Sequence, residues 1–232
     1  MKTQLFVNER VTALAVWREA FAIIRRHPTA TIAPAALLGT LTETPYLLPD
    51  SEYVLQDISA FLIEAFAFYL YVAYAEEITI EAQQSTEHIP LRRVLRKLLL
   101  AAPVVPLVTV ASITAITLPS AAASLLVIPG LWLLTRWSLF APVIVSERLG
   151  PLSALRRSNE LVRGHFELVF LTAAFAVILE EAVMDIGALA GLLVTGSDTW
   201  GEWIGGSVAA TLIMPFAAFA TALAYGLVSR RS

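Results

Sequence analysis

Carboxylates lie where an apolar chain has least use for them. Leu179–Gly191 reads LEEAVMDIGALAG and sets Glu180, Glu181 and Asp185 in a run otherwise fit for the interior of a bilayer. Glu43, Asp57 and Glu64 occupy two further apolar runs. Asp57 and Glu64 are spaced to share a helix face, as are Glu181 and Asp185. No Lys or Arg stands in these stretches to pair with them. An acid at membrane depth costs several kcal/mol unless it meets water or a partner. Three chemistries answer that cost: the acids hold protons, face a water-filled outer cavity, or bind a cation. A proton- or cation-coupled transporter would use such a set. The structural alternative is that the helix carrying Glu180 frays outward, leaving its acids near the surface.

Other chemistry is poorly supplied. The chain has no cysteine, which excludes thiol catalysis, disulfides and zinc–thiolate sites. His27, His88 and His165 are far apart, with no HExxH or Glu-x-x-His pair, so no metal site is expected. The serines form no Ser-His-Asp grouping at membrane depth, and no glycine-rich phosphate loop occurs. The two lysines, Lys2 and Lys97, do not lie at mid-span depth, so no retinal Schiff base is expected. No cofactor is expected.

The elements that must position the acids follow from hydropathy. Of 232 residues 57% are hydrophobic and 15% charged, with a mean hydropathy of +0.72. Soluble domains average about 45–50% apolar and about 25% charged, so a membrane protein is expected. A span needs about 20 apolar residues to cross about 30 Å of hydrocarbon. Runs at 29–48, 53–75, 95–118, 121–145, 166–194 and 203–228 qualify. The fourth and fifth are long enough to imply tilt or a break, and Pro119-Ser120 leaves room only for a tight hairpin. Met1 to Arg10 lacks the pattern of a cleaved signal, so the first apolar run should stay in the membrane. At 1.5 Å per residue, Glu180 lies about 21 Å along the fifth span, Glu43 about 21 Å along the first and Glu64 about 16 Å along the second. These depths place the acids together in the outer half of one bundle.

Basic residues set the orientation. All 16 Lys and Arg fall before the first run, between the second and third, late in or after the fourth, or at the end of the chain. The opposite connections, near Pro49, Pro119 and Ser197, hold none. The positive-inside rule then places both termini in the cytoplasm. The expected fold class is all-α: a polytopic membrane protein with six transmembrane helices, forming one membrane domain over 1–232. Tyr46, Tyr53, Trp200 and Trp203 flank the outer connections as interfacial rings. Gly187 and Gly191 form GxxxG, and Gly206, Ala210, Ala217 and Ala224 give the sixth span a small-residue seam for close packing.

Three cytoplasmic stretches look alike: VTALAVWREAFAIIRRHP, IPLRRVLRKLLL and GPLSALRRSNELVRGHF. Each mixes apolar residues with arginine and then feeds a hairpin. They predict short interfacial helices at 10–27, 89–97 and 151–164, and a three-unit repeat of interfacial helix plus hairpin. The alternative is that any helix lying on a bilayer is amphipathic and basic. The basic skirt, with Arg136, Arg148, Arg156 and Arg157, suits anionic lipid headgroups. Arg136 is expected to anchor to Glu76, Glu77 or a lipid phosphate, and Glu147 to pair with Arg148, Arg156 or Arg157. The dispersed arginines predict no nucleic-acid partner.

Pro129–Phe170 reads PGLWLLTRWSLFAPVIVSERLGPLSALRRSNELVRGHFELVF. Pro-Gly, Arg-Trp, a later Pro, Glu, then Ala-Leu-Arg-Arg-Ser and Gly recur there in order. The segment resembles the membrane-domain family of glycerophosphoryl diester phosphodiesterases and related uncharacterised multi-pass bacterial proteins. The usual aromatic after the Ser is Asn159 here. The resemblance implies a bacterial cytoplasmic-membrane protein. It carries over no catalytic residue, because the family's phosphodiesterase activity resides in a separate soluble barrel.

The sequence therefore predicts a non-enzymatic accessory or scaffold module binding membrane lipid or another membrane protein through its basic face. A small proton or cation transporter built on the acids is the alternative. An intramembrane lipid enzyme stands third, lacking a nucleophile, metal or phosphate motif.

Overall fold

A computed structural model describes residues 12–47, 53–84, 92 and 127–230; these are helical, with no strand among them. The helices are α1 (Ala13–Arg26), α2 (Pro28–Glu43), continued by a 3-10 turn (Thr44–Leu47), α3 (Tyr53–Gln84), α4 (Val127–Trp137), α5 (Phe140–Glu147), α6 (Pro151–Arg163), α7 (Phe166–Thr195) and α8 (Asp198–Ser229). Two of them are long and apolar enough to cross a membrane: the Ile58–Ala82 stretch of α3, and α8 over 32 residues. α7 has the length, at 30 residues, but Glu180, Glu181 and Asp185 interrupt its apolar run. The predicted span 95–118 and surface helix 89–97 lie outside the described residues, Arg92 excepted.

α8 is the hub, packed along α7, α2 and α3. Its pairing with α7 explains the GxxxG of Gly187 and Gly191. A Cβ on Gly187 would lie 2.6 Å from the Gly205 carbonyl oxygen and 2.7 Å from the Ala209 Cβ, and one on Gly191 would collide with the Gly201 carbonyl. The two backbones therefore touch, which only glycine on both sides permits. The partner motif is Gly201-x-x-x-Gly205, a second GxxxG that the predicted seam on α8 passed over. The predicted seam residues Gly206 and Ala210 face α2 instead, at Glu43 and Gly39. Gly196, at φ 66°, ends α7 in the left-handed conformation and donates its N–H to Leu192 O at 2.8 Å. Ser197 then caps α8, so the hairpin is tight.

α2 carries Pro34 in its interior, which removes the N–H that would reach the Ala30 carbonyl. The Tyr74 hydroxyl on α3 donates to that carbonyl at 2.6 Å, and Tyr71 donates to the neighbouring Thr31 carbonyl. Both tyrosines are buried. A proline break in one helix is thus sealed from the next.

The predicted fourth span is not one continuous helix: among the described residues it breaks at Ser138–Leu139, between α4 and α5. Pro142 supplies the reason, because it has no N–H for the Ser138 carbonyl. The fully buried Ser158 of α6 bridges the gap, donating to Arg136 O at 2.8 Å and accepting from Leu139 N at 3.2 Å. α3 also differs from expectation, running nine residues past the predicted span end at Ala75. The added turns hold Glu76, Glu77 and Glu81, all buried.

α1 and α6 repeat one design. α1 buries Val16, Trp17, Ala20, Ile23 and Ile24; α6 buries Ala154, Leu155, Ser158, Leu161 and Val162 at the same positions under one constant offset. That offset also pairs Arg18 with Arg156, Arg25 with Arg163 and His27 with His165. Each histidine is the N-cap residue of the following helix, and its carbonyl accepts the N–H of Thr31 or Val169. Carried further, it pairs Glu43 with Glu181. The first and third of the predicted units therefore share a register. Their apolar stripes are covered by protein: α1 packs on α8 and α7, and α6 on α5 and α4.

Candidate functional site

The bundle has two chemically opposite ends. At one end lie Arg18, Arg25 and Arg26 of α1, Arg136 ending α4, Arg148 after α5, Arg156, Arg157 and Arg163 of α6, and Arg230 after α8. The helices α2, α3, α7 and α8 contain no Lys or Arg at all. The end where α2 finishes and α8 begins gathers carboxylates instead.

Glu43 terminates α2 and is 6% exposed. Its side chain fills the notch left by Gly206 on α8, where a Cβ would collide with its carboxylate. Thr42 Oγ1 donates to Glu43 Oε1 at a long 3.5 Å. Two further carboxylates act on Glu43 electrostatically, Glu64 of α3 and Glu202 of α8. Glu64 also interacts with Glu181, and Glu180 with both Glu64 and Glu181. Glu64 is thus the common neighbour of acids from α2 and α7. Glu64 and Glu181 are exposed among the described residues, while Glu180 is half-buried. The group opens outward rather than being sealed.

The predicted set is therefore brought together in part. Glu43, Glu64, Glu180 and Glu181 share a field. Asp185 stands exposed on α7, one turn past Glu181. The side chain of Asp57 lies outside the described residues. Glu202 is a member the sequence reading missed, because it falls before the predicted start of the sixth span; its place one turn before Gly206 was the available signal. Among the described residues no three carboxylate or imidazole groups approach closely enough to ligate one metal ion.

The basic end is wired differently from expectation. Arg136 does not reach Glu76 or Glu77: its Nη1 donates to Asn159 Oδ1 at 2.7 Å, and its guanidinium lies 4.1 Å from the centroid of the Trp132 ring. Distance along the chain hid Asn159, which α6 folds back onto α4. Glu147 pairs with Arg157, whose Nε donates to Oε1 at 3.2 Å and Oε2 at 3.0 Å, and accepts from Tyr225 at 3.3 Å. Arg148 pairs with buried Glu77 at 3.7 Å and holds φ 55°, a conformation that strains a side chain with a Cβ. Ser146 donates to Glu76 at 2.8 Å, leaving Glu76 Oε2 buried with no hydrogen-bond partner among the described residues. These contacts tie α3, α5, α6 and α8 together, and they occupy Arg148 and Arg157, two of the predicted headgroup ligands.

No protein-family model, curated protein or solved structure matches this chain.

Proposed function

We propose that this chain is a polytopic protein of the bacterial cytoplasmic membrane, with six spans and both termini inside, that carries protons or small monovalent cations through the Glu43–Glu64–Glu180–Glu181 group. The observation that carries this reading is the electrostatic interaction of Glu64 with both Glu43 and Glu181, which occupy corresponding positions under the offset that relates α1 to α6. Transporters built from repeats commonly site their ion ligands where the units meet. A purely structural bundle has no use for uncompensated acids on apolar helices, whose burial costs several kcal/mol each. A proton or cation supplies the missing charge, and loading or releasing it changes how strongly α2, α3 and α7 repel one another. No covalent chemistry is required. Membership in the family that Pro129–Phe170 resembles belongs to the same proposal: Pro142, Glu147, Arg157 and Ser158 of that segment are the residues that break α4 from α5 and stitch both to α6.

The test is flux in proteoliposomes carrying an internal pH dye. The wild type should dissipate an imposed proton or sodium gradient, Glu64→Gln should abolish that flux, and Asp185→Asn should retain it. Wild-type vesicles no leakier than empty ones would overturn the proposal, as would full flux in Glu64→Gln.

A second reading, an accessory module that binds lipid or a membrane partner, is favoured by exposed apolar residues on α7. Leu171, Phe175, Ile178, Ile186, Leu189 and Leu193 form a stripe left uncovered among the described residues. Its signature would be a co-purifying partner and no flux.

A further inference from the structure

We propose that Arg136, Arg156 and Arg163 form a discrete site for the phosphate of an anionic lipid headgroup, with Trp132 and Leu152 as its apolar flanks. The inference rests on the membrane-spanning reading above but not on the carboxylate group or its ion.

The basic skirt of the sequence is not uniform once folded. Arg148 and Arg157 are committed to Glu77 and Glu147. Arg156 and Arg163 are exposed and make no ion pair among the described residues. Both lie on the stripe of α6 that holds Asn159, at spacings of three and four residues, where helical neighbours stand about 5–6 Å apart. Asn159 is the residue that binds Arg136, so Arg156 and Arg163 flank along α6 the position at which Arg136 docks. Glu160, the carboxylate nearest in sequence, leans away toward Arg157 at 3.7 Å.

Arg136 is preorganised. Its plane rests on Trp132, its Nη1 is held by Asn159, and its backbone carbonyl is fixed by Ser158. Of its three nitrogens only Nη1 has an acceptor among the described residues, and Nε is buried without one. A planar, immobilised fork matches phosphate geometry, and little side-chain freedom remains to be lost on binding. Trp132 is 46% and Leu152 69% exposed. Leu152 continues the Arg156–Asn159–Arg163 stripe by one turn. An indole and a leucine beside three cations fit the boundary between headgroups and acyl chains. A soluble phosphate would use the arginines but gain nothing from these apolar flanks, so the lipid is the occupant.

The test is native mass spectrometry of the full-length protein in detergent, titrated with phosphatidylglycerol, with phosphatidylcholine, or with glycerol 1-phosphate. The wild type should retain phosphatidylglycerol over phosphatidylcholine. Arg136→Gln/Arg163→Gln should weaken that retention on the order of tenfold or more, each cation near such a phosphate being worth about a factor of five. Arg25→Gln/Arg26→Gln removes equal charge from the exposed face of α1 and should change it little. Arg136→Lys, which keeps charge without the fork, should lose most of the preference at unaltered melting temperature. Equal losses from the two double variants would overturn the site in favour of a diffuse basic surface. Competition by glycerol 1-phosphate at matching concentration would overturn the lipid assignment. Glu64→Gln should bind lipid normally, so a failed flux experiment and a failed headgroup site are told apart.

Discussion

The Tyr74 hydroxyl donates to the Ala30 carbonyl, the acceptor left without its helical N–H by Pro34 four residues on. Proline and tyrosine are thus one device shared between α2 and α3. Tyr74→Phe should cost about 1–3 kcal/mol, the range for a buried carbonyl left without a donor. Pro34→Ala restores the N–H, so adding it to Tyr74→Phe should recover part of the loss. Thermal melts of the two single variants and the double variant measure the coupling, and strict additivity would show that the two residues act independently.

Glycine at the α7–α8 contact should prove equally exacting. Gly205→Leu would drive a side chain into the Gly187 backbone and should abolish the monodisperse folded species on size-exclusion chromatography. Gly205→Ala should destabilise by about 1–3 kcal/mol, as overpacking generally does. Gly226, on the same helix with nothing within 4 Å of an added Cβ, is the control. Gly226→Ala should be neutral or stabilise by up to about 1 kcal/mol through helix propensity.

The break between α4 and α5 predicts a third outcome. Ser158 is at once donor to Arg136 O and acceptor from Leu139 N, so Ser158→Ala leaves two buried backbone groups unmet. A loss of about 2 kcal/mol is expected, with faster hydrogen exchange at Leu139. Ser158→Thr keeps the hydroxyl and should retain more of the stability than Ser158→Ala.

These cases show what was legible before folding. The all-helical class was, because long apolar runs set it, whereas helix limits were not: α3 runs past its predicted end and the fourth span is broken. Rise per residue placed Glu43, Glu64, Glu180 and Glu181 at comparable depth, and their electrostatic interactions are consistent with that. Depth along one helix does not locate a neighbour on another, however, and so Glu202 was left out, falling before the predicted start of the sixth span. Pairing across helices was not legible. Arg136 had acids as its chemically obvious partners, and only the fold of α6 onto α4 supplies Asn159. Gly201-x-x-x-Gly205 escaped because the Gly206 seam, one residue along, points toward α2. The shared register of α1 and α6 was half visible in their arginines and histidines. Burial of the matching stripes made it definite.

A last prediction separates charge that is tolerated from charge that is used. Glu64 interacts electrostatically with Glu43, Glu180 and Glu181, and α2, α3, α7 and α8 carry no Lys or Arg, so its ionised form opposes the packing of α2, α3 and α7. Replacing it by glutamine keeps the shape and removes the charge. Glu64→Gln should therefore stabilise the fold by on the order of 1 kcal/mol, the scale of relieved surface-charge conflicts, or roughly 2–4 °C in Tm at this chain length. The sign follows from ionisation. At low pH the carboxyl is protonated and resembles the amide, so wild type and variant should melt together. As pH rises the wild type ionises and the variant does not, so the gap should open in favour of the variant. A stabilised Glu64→Gln protein without flux would mark Glu64 as a residue kept for work at the expense of stability. A destabilised one would assign it to packing, and the ion-carrying proposal would lose its central residue.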